Sequence, residues 1–366
     1  MRILGIFSAF RPVGYGAPVG GGEISNRQLL GELANRGHDV TVYAFNAGAG
    51  EGRAARTVRV LDGGLGHPGS ALEKIVRAAR ARRNLSAALD GFLPDVILTG
   101  VGTVGVGIEL SKRCGAPVAV LIRALRDMQP PAVSPAKRMA RHLVYGSSRW
   151  KNAPYLIANS QFLLDRCRQD GFKGRGWVVY PPVDVEIANA DWPSAVRTIG
   201  MVGSSSQKGI ETFLALASAM PEVSFKVIGD RSVPPGEVTS SNNLTREGWT
   251  NDPAADIDTC DALLMPSKIG EAFGRTAVEA IRRKKFVLAS TMGGLPEAVA
   301  HRSLLIDPMN FEAWREQVSR LVRDPGAFVP AMRNALEVAK SFDLMGQTGR
   351  LEAAIYGIAG QSVAYQ

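Results

Sequence analysis

Along this chain, short β-rich apolar runs alternate with longer stretches in which apolar residues return at helical spacing. Residues 2–7 read as a first strand, 14–22 as a glycine-rich loop, 23–35 as a helix and 40–45 as the next strand. The helix carries Ile24, Leu29, Leu30, Leu33 and Ala34 on one side and stops at Gly37, as a left-handed terminal glycine allows. Strand, glycine loop, helix, strand is the opening of a doubly wound parallel sheet. Further strands are predicted at 96–99, 117–122, 155–158 and 177–180, with helices near 72–89, 106–113 and 160–170.

Tyr180-Pro181-Pro182-Val183-Asp184 breaks the pattern, and Ala190-Asp191-Trp192-Pro193-Ser194 follows soon after. Proline has no N–H to give a ladder, so the domain linker is placed here, over residues 183–195. The alternation then begins afresh. Strands are predicted at 198–202, 223–228, 244–247, 262–265, 286–289 and 304–306, and helices at 208–219, from Pro253, after Gly274, and at 295–300 and 311–322. The expectation is two α/β domains in series, 1–182 and 196–342. Residues 331–358 read as one or two helices, and the last segment, 343–366, is expected to cross back to the first domain.

The stretch 266–283, PSKIGEAFGRTAVEAIRR, follows an apolar strand and sets Glu271 and Glu279 eight residues apart with Phe273-Gly274 between them. It reads as strand, loop, helix, with the helix beginning near Gly274 and Glu279 about two turns inside it. At a rise of about 1.5 Å per residue the two carboxylates would stand about 10 Å apart, with the free N–H groups of a helix start between them. An anion fits between and hydroxyls fit at each end, as in a sugar joined through a diphosphate to a ribose. The same spacing also suits a loop carboxylate followed by a solvated helix face.

Three glycine-rich turns each lie between a strand and a helix: Gly20-Gly21-Gly22, the loop from Gly203 to Gly209, and Gly293-Gly294. Glycine lets a phosphate approach the backbone closely. The first loop departs from G-x-G-x-x-G, because Val19 stands where glycine is needed, and no Walker sequence occurs. Dinucleotide and P-loop readings both weaken. The Asp256-Ile257-Asp258 triplet has paired carboxylates that suit Mg²⁺, but it lies far in sequence from any glycine loop, and no metal is expected there.

With 366 residues, 45% hydrophobic and 21% charged, the chain can bury two cores. The opening apolar run, 3–10, is too short to span a membrane and reads as a strand rather than a signal peptide. Cys114, Cys167 and Cys260 form neither a disulfide framework nor a zinc pattern, which favours a reduced cytoplasmic compartment. Charge is uneven: residues 1–190 hold 25 Lys and Arg against 14 Asp and Glu, a net +11, while 191–366 hold 18 against 20, a net −2. Lys74, Arg77, Arg80, Arg82 and Arg83 form one basic cluster; Lys137, Arg138, Arg141, Arg149 and Lys151 form another. Anionic headgroups or an anionic acceptor suit them, as do plain solvated helix faces. Neither cluster is interleaved with aromatics, which argues against nucleic acid.

Several motifs occur together and in order. They are Gly20-Gly21-Gly22-Glu23, Ala158-Asn159-Ser160, Tyr180-Pro181-Pro182-Val183-Asp184, Gln207-Lys208-Gly209, Pro266-Ser267 through Glu271-Ala272-Phe273-Gly274 to Glu279-Ala280, and Gly293-Gly294-Leu295-Pro296-Glu297. In this combination the chain resembles the retaining glycosyltransferases of family four, which have the GT-B fold. The resemblance implies two Rossmann-like doubly wound domains facing a central cleft, with the acceptor on the first and a nucleotide-diphosphate sugar, a UDP-sugar or GDP-sugar, on the second. It implies that Glu271 holds hydroxyls of the donor hexose and Glu279 those of the ribose. Ala272, Phe273 and Gly274 would present backbone N–H groups, and Lys208 would neutralise the departing diphosphate. Gly21 and Gly22 would close over it. Such enzymes need no metal, so neither cofactor nor metal is expected.

Two positions depart from the family. The phosphate loop reads Gly203-Ser204-Ser205-Ser206 where an Arg is frequent, so hydroxyls take its place and phosphate stabilisation leans on Lys208 with Arg275. The frequent His after the strand at 117–122 is replaced by Arg123-Ala124-Leu125-Arg126-Asp127, which leaves Arg123, Arg126 or Asp127 to serve. Donor base and hexose depend on side chains near Gly248 and Trp249, and Trp249 is counted with the donor-binding set. The acceptor is a glycan, a lipid-linked sugar or a small molecule, and the basic first domain fits peripheral contact with an anionic membrane face. Two other readings stand beside this one: a nucleotide-sugar epimerase of similar fold and a non-catalytic sugar-binding protein.

Overall fold

A computed structural model describes residues 1–11, 20–47, 58–64, 71–89, 91–128, 150–249 and 253–361. It divides into two compact units, Met1–Pro182 with Leu344–Gln366, and Val183–Asp343.

The first unit is built on a seven-stranded sheet ordered β3-β2-β1-β4-β5-β6-β7. Its strands are β1 (Arg2–Phe7), β2 (Asp39–Ala44), β3 (Arg59–Asp62), β4 (Val96–Gly100), β5 (Val118–Ile122), β6 (Tyr155–Ala158) and β7 (Arg175–Val178). Every pairing is parallel, with Ile3 opposite Val40 on one side and Val96 on the other. The apolar run of β1 reflects burial on both faces. Ile3 and Phe7 meet Leu29, Leu30 and Leu33 of helix α1 (Gly21–Asn35). Leu4 and Ile6 point the other way, toward Ala81 and Leu85 of α2 (Ala71–Ala88) and Val106 of α3 (Val104–Cys114). Helix α4 (Gln161–Gln169) is capped by Ser160, whose hydroxyl accepts from the Leu163 N–H.

The second unit repeats the plan with the order β10-β11-β9-β8-β12-β13-β14. Strands β8 (Thr198–Val202), β9 (Ser224–Ile228), β11 (Leu244–Glu247), β12 (Ala262–Met265), β13 (Phe286–Ser290) and β14 (Leu305–Ile306) are parallel, and β10 (Val238–Ser241) is antiparallel to β11. The helices are α5 (Ile210–Ala219), α6 (Pro253–Asp258), α7 (Arg275–Arg282), α8 (Leu295–Val299), α9 (Phe311–Arg323) and α10 (Val329–Lys340). Strands β3 and β10 carry no strong apolar signal, because β3 is a half-exposed edge and every residue of β10 is exposed. Helix α1 begins at Gly21, two residues before the sequence suggests, so two glycines of its loop form its first turn. The basic cluster 137–149 and the loop residues 14–19 lie outside the described residues.

The final helix, α11 (Leu344–Gln361), belongs to the first unit, where Leu351, Ala354, Ile355 and Ile358 complete the core beside α1. A polar latch sits beside this seam. Glu352 accepts from Arg36 Nη1 at 3.1 Å and from His38 Nε2 at 2.7 Å. The N-terminal ammonium lies 3.4 Å from His38 Nδ1, which places the ring proton on Nε2.

The His38 hydrogen bond, opposed by burial and aided by Arg36, holds the Glu352 carboxyl below its usual range. A depressed carboxylate contributes stability above its unfolded-state value and loses it as pH falls through the folded one. Glu352→Gln is therefore expected to cost about 1 kcal/mol at neutral pH. In urea titrations at a series of pH values, the gap from wild type should close below the ordinary carboxylate range.

Candidate functional site

In the second unit the strand order reverses between β8 and β12, whose connections run to opposite sides of the sheet. A crevice opens at the carboxyl ends of such a strand pair, and ligands of open α/β sheets bind there. Here the two strands end at Val202 and Met265, so the loops 203–209 and 266–274 are its lips.

These lips are joined backbone to backbone. The N–H groups of Lys268 and Ile269 donate to the Gln207 carbonyl at 3.0 and 3.3 Å. Gly209 has φ +80°, and a Cβ there would stand 2.0 Å from the Pro266 carbonyl oxygen, so only glycine fits. Across the lower lip, Gly294 N–H donates to the Glu271 carbonyl at 2.8 Å. A Cβ on Gly293, at φ +67°, would lie 2.2 Å from that same oxygen. Glycine turns two and three thus serve first to let chain segments touch.

Lys208 ends the short 3₁₀ turn Ser206–Lys208, whose entry residue is Ser205. Its side chain folds back over Gly203, and Nζ donates to the Val202 carbonyl at 3.2 Å and lies 3.8 Å from Glu271 Oε1. Ser267, buried at 2% exposure, donates to the same carboxylate oxygen at 3.5 Å. Lys208, Ser267, Glu271 and Thr276 line one cleft with Met201, Val202, Leu264 and Met265. An ammonium and a carboxylate therefore share a mostly apolar crevice.

Helix α7 starts at Arg275 after Gly274, which has φ +112° and whose carbonyl accepts the Ala277 N–H at 3.0 Å. Phe273 is buried and meets Phe342 edge to face at 4.9 Å, which fixes the loop Ala272–Gly274 from below. The helix begins next to Gly274, as the sequence suggests, but Glu279 is its fifth residue and so falls about one turn into α7 rather than two. Arg275 Nη2 pairs with Glu279 Oε1 at 3.4 Å, so that guanidinium is engaged by the carboxylate one turn on.

Ser204 is held from a neighbouring strand end. Its hydroxyl accepts from Arg231 N–H at 3.0 Å and bonds the Asp230 carboxylate. Burial pushes the Asp230 carboxyl up, but hydrogen bonds from Ser232 and Ser204 and the charge of Arg246 bring it below the usual range. Asp230 is a residue that sequence reasoning missed, and Ser267, quoted in the Pro266-Ser267 motif, was given no role there. Their only signals are positions just past β9 and β12. Trp249 is 41% exposed and lies across Gly229, at the end of β9, with its ring 3.3 Å from where a Cβ would stand.

The other predicted residues lie in the first unit. Gly21 and Gly22 form the first turn of α1, and a Cβ on Gly22 would meet the Arg123 side chain at 2.8 Å. Arg123 is buried, donates through Nε to Asn26 Oδ1 at 3.0 Å and through Nη1 to the Val179 carbonyl at 3.0 Å, and leaves Nη2 without a partner among the described residues. Burial pushes its guanidinium down to about 10. Asp127 accepts the N–H groups of Arg123 and Ala124 at 3.2 and 2.9 Å, and burial nevertheless raises its carboxyl. Arg126 is exposed and lies near Gly20.

In the triplet 256–258, Asp258 pairs with Arg283. Among the described residues no group of three His, Cys, Asp or Glu side chains is arranged to hold a metal, and no helix is long and apolar enough to cross a membrane.

Residues 19–187 match the family model for Glycosyltransferase Family 4, and residues 196–324 match that for Glycosyl transferases group 1. An uncharacterized glycosyltransferase of Methanocaldococcus jannaschii is 25% identical over 203 residues, which are 52% of this chain and 56% of that protein. The match thus spans little more than half the length of that curated relative. Among solved structures, sucrose-phosphate synthase from Thermosynechococcus elongatus is similar at TM-score 0.73 and 18% identity, over 98% of this chain and 100% of that one. Anabaena HepE in complex with UDP-glucose is similar at TM-score 0.68 and 19% identity, over the same shares. Identities this low carry the fold alone. The two family matches cover most of both units, and the two α/β sheets match those structures, so the chain belongs to the group 1 glycosyltransferases, with a family 4 domain first and the GT-B fold.

Proposed function

We propose that this glycosyltransferase is a retaining, metal-independent hexosyltransferase. It takes its sugar from a nucleotide diphosphate bound at the carboxyl ends of β8 and β12, and passes it to an acceptor held by the first unit. The observation that carries the reading is the crevice shared by Lys208 and Glu271, 3.8 Å apart, beside the start of α7.

Cleavage of the anomeric C–O bond leaves its electron pair on the departing phosphate. Lys208, the start of α7 and the Ser205 hydroxyl supply fixed positive and donor groups where that charge develops. This gives the neutralisation a divalent cation would otherwise supply. Glu271, steadied by Ser267, accepts hydrogen bonds from hexose hydroxyls, and Glu279 does so from the ribose. The acceptor hydroxyl oxygen bonds to the anomeric carbon on the face the phosphate leaves, and its proton passes to the leaving phosphate oxygen. Retention rests on the likeness of the Glu271–Glu279 segment to retaining enzymes. Trp249 offers an exposed ring face for the base, and uridine is the first base to try, since HepE was solved with UDP-glucose.

A thermal-shift panel of nucleoside diphosphates and their sugars tests the donor site. One nucleotide series should raise the wild-type midpoint by mass action, and Glu279→Ala should abolish most of that rise. No shift with any series would count against the donor assignment. With the donor known, Lys208→Ala should lower kcat by roughly 10²- to 10³-fold, or about 3–4 kcal/mol of transition-state stabilisation, with a smaller change in KM. Gly293→Ala should lose donor binding and at least about 2 kcal/mol of stability, because its Cβ meets backbone that cannot yield.

A further inference from the structure

The cations of the β8–β12 crevice are each balanced by a carboxylate. Lys208 stands by Glu271, Arg275 pairs with Glu279 at 3.4 Å, and Lys268 on the same lip pairs with Glu211 at 3.1 Å. Pair by pair these charges cancel. A nucleoside diphosphate brings several negative charges to that place, and a neutral lining leaves them uncompensated. The loop Gly203-Ser204-Ser205-Ser206 adds no cation before Lys208. Ser204 is no free donor either, since its hydroxyl accepts the Arg231 N–H at 3.0 Å and bonds the Asp230 carboxylate.

That clasp points to where a further cation stands. Strand β9 lies beside β8 with Ile228 opposite Val202, and the Gly203 N–H donates to the Ile228 carbonyl at 2.7 Å. The turns 203–205 and 229–231 therefore run side by side. Asp230, buried at 2% exposure, also accepts the Ser232 N–H at 2.9 Å and Arg246 Nη1 at 3.2 Å, which fixes its turn. Arg231, the next residue, is exposed, and its guanidinium has neither ion pair nor hydrogen bond among the described residues. Its stem is longer than the spacing of about 4.8 Å between neighbouring strands, so the guanidinium can reach over the end of β8. Unlike Lys208 and Arg275, it gives up no carboxylate when it meets a phosphate, and its fork suits paired phosphate oxygens.

The path of the donor leads past it. Trp249 lies across Gly229 at the end of β9, and Glu271 lies beyond β12, on the other side of β8. A nucleotide sugar with its base on that ring and its hexose at Glu271 carries its diphosphate over the ends of β9 and β8. We propose that Arg231 binds the donor phosphate nearer the nucleoside, as Lys208 serves the one that bears the sugar, with the Asp230–Ser204 clasp holding the Arg231 backbone in place. This rests on the donor site proposed above and adds a residue to it.

The test is titration calorimetry of the full chain with UDP, UMP and uridine, or with the guanosine set if that series is the one bound. Arg231→Gln should weaken UDP and UMP alike by about tenfold or more and leave uridine unchanged. Lys208→Ala should weaken UDP and largely spare UMP. Arg231→Lys should recover part of the affinity that Arg231→Gln loses. Both Arg231 substitutions keep the N–H that Ser204 accepts, so unliganded thermal midpoints should match wild type. UDP and UMP affinities equal to wild type in Arg231→Gln would overturn the assignment while the donor site stands. A matching loss for uridine would overturn it too, by showing damage to the base site. A wild type that binds no nucleotide would overturn the donor site itself, and this inference with it.

Discussion

Backbone contact between loops is the constraint on which the second unit depends. Where the strand order turns at β8 and β12, two connections leave the sheet side by side and must come together without side chains between them. Gly209 against the Pro266 carbonyl and Gly293 against the Glu271 carbonyl meet that demand. Positions at positive φ with no room for a Cβ cost stability in an unfolded ensemble that prizes glycine's freedom. In return the loops are immobilised close to the sheet. Lys208, Ser267 and Glu271 inherit their positions from that contact, and so does the start of α7.

Within the same crevice the charges are arranged around a shared deficit. Lys208 is held by a backbone carbonyl and faces Glu271 at 3.8 Å. Arg275 and Glu279 make a similar pair one helical turn apart. Partly buried pairs of this kind gain little from each other, because desolvation offsets attraction. Each member keeps the other ordered within the crevice. Asp230 is different, being buried and fully engaged by Ser204, Ser232 and Arg246. It acts on the loop rather than on anything the loop binds.

Much of this is legible in the sequence, and for specific reasons. Central strands such as 198–202 and 262–265 are buried on both faces, so their apolar runs end where the strands end. Edge strands β3 and β10 face water and left no such mark. Glu271, Lys208 and the glycine turns carry local signals, spacing and residue type, that survive in one dimension. Ser267 and Asp230 do not, since a serine after a strand is commonplace until burial and a partner are known. Arg123 shows the limit from the other side. Its position after β5 drew attention to it, but only packing reveals that Gly22 rests on its stem and that Asn26 and Val179 occupy two of its donors.

The first unit is discontinuous in the chain: it leaves at Pro182 and is completed by α11, which begins at Leu344. A ribosome therefore releases the second unit, Val183–Asp343, as one continuous piece while the first still lacks a helix of its core. Until residues 344–361 emerge, Leu29, Leu30, Leu33 and the neighbouring sheet face remain without the cover that Leu351, Ile355 and Ile358 provide. Such uncovered apolar surface in a nascent chain is what holdase chaperones bind. The order of maturation is thus the reverse of the order of synthesis, and the residues translated first are the last to reach their final packing.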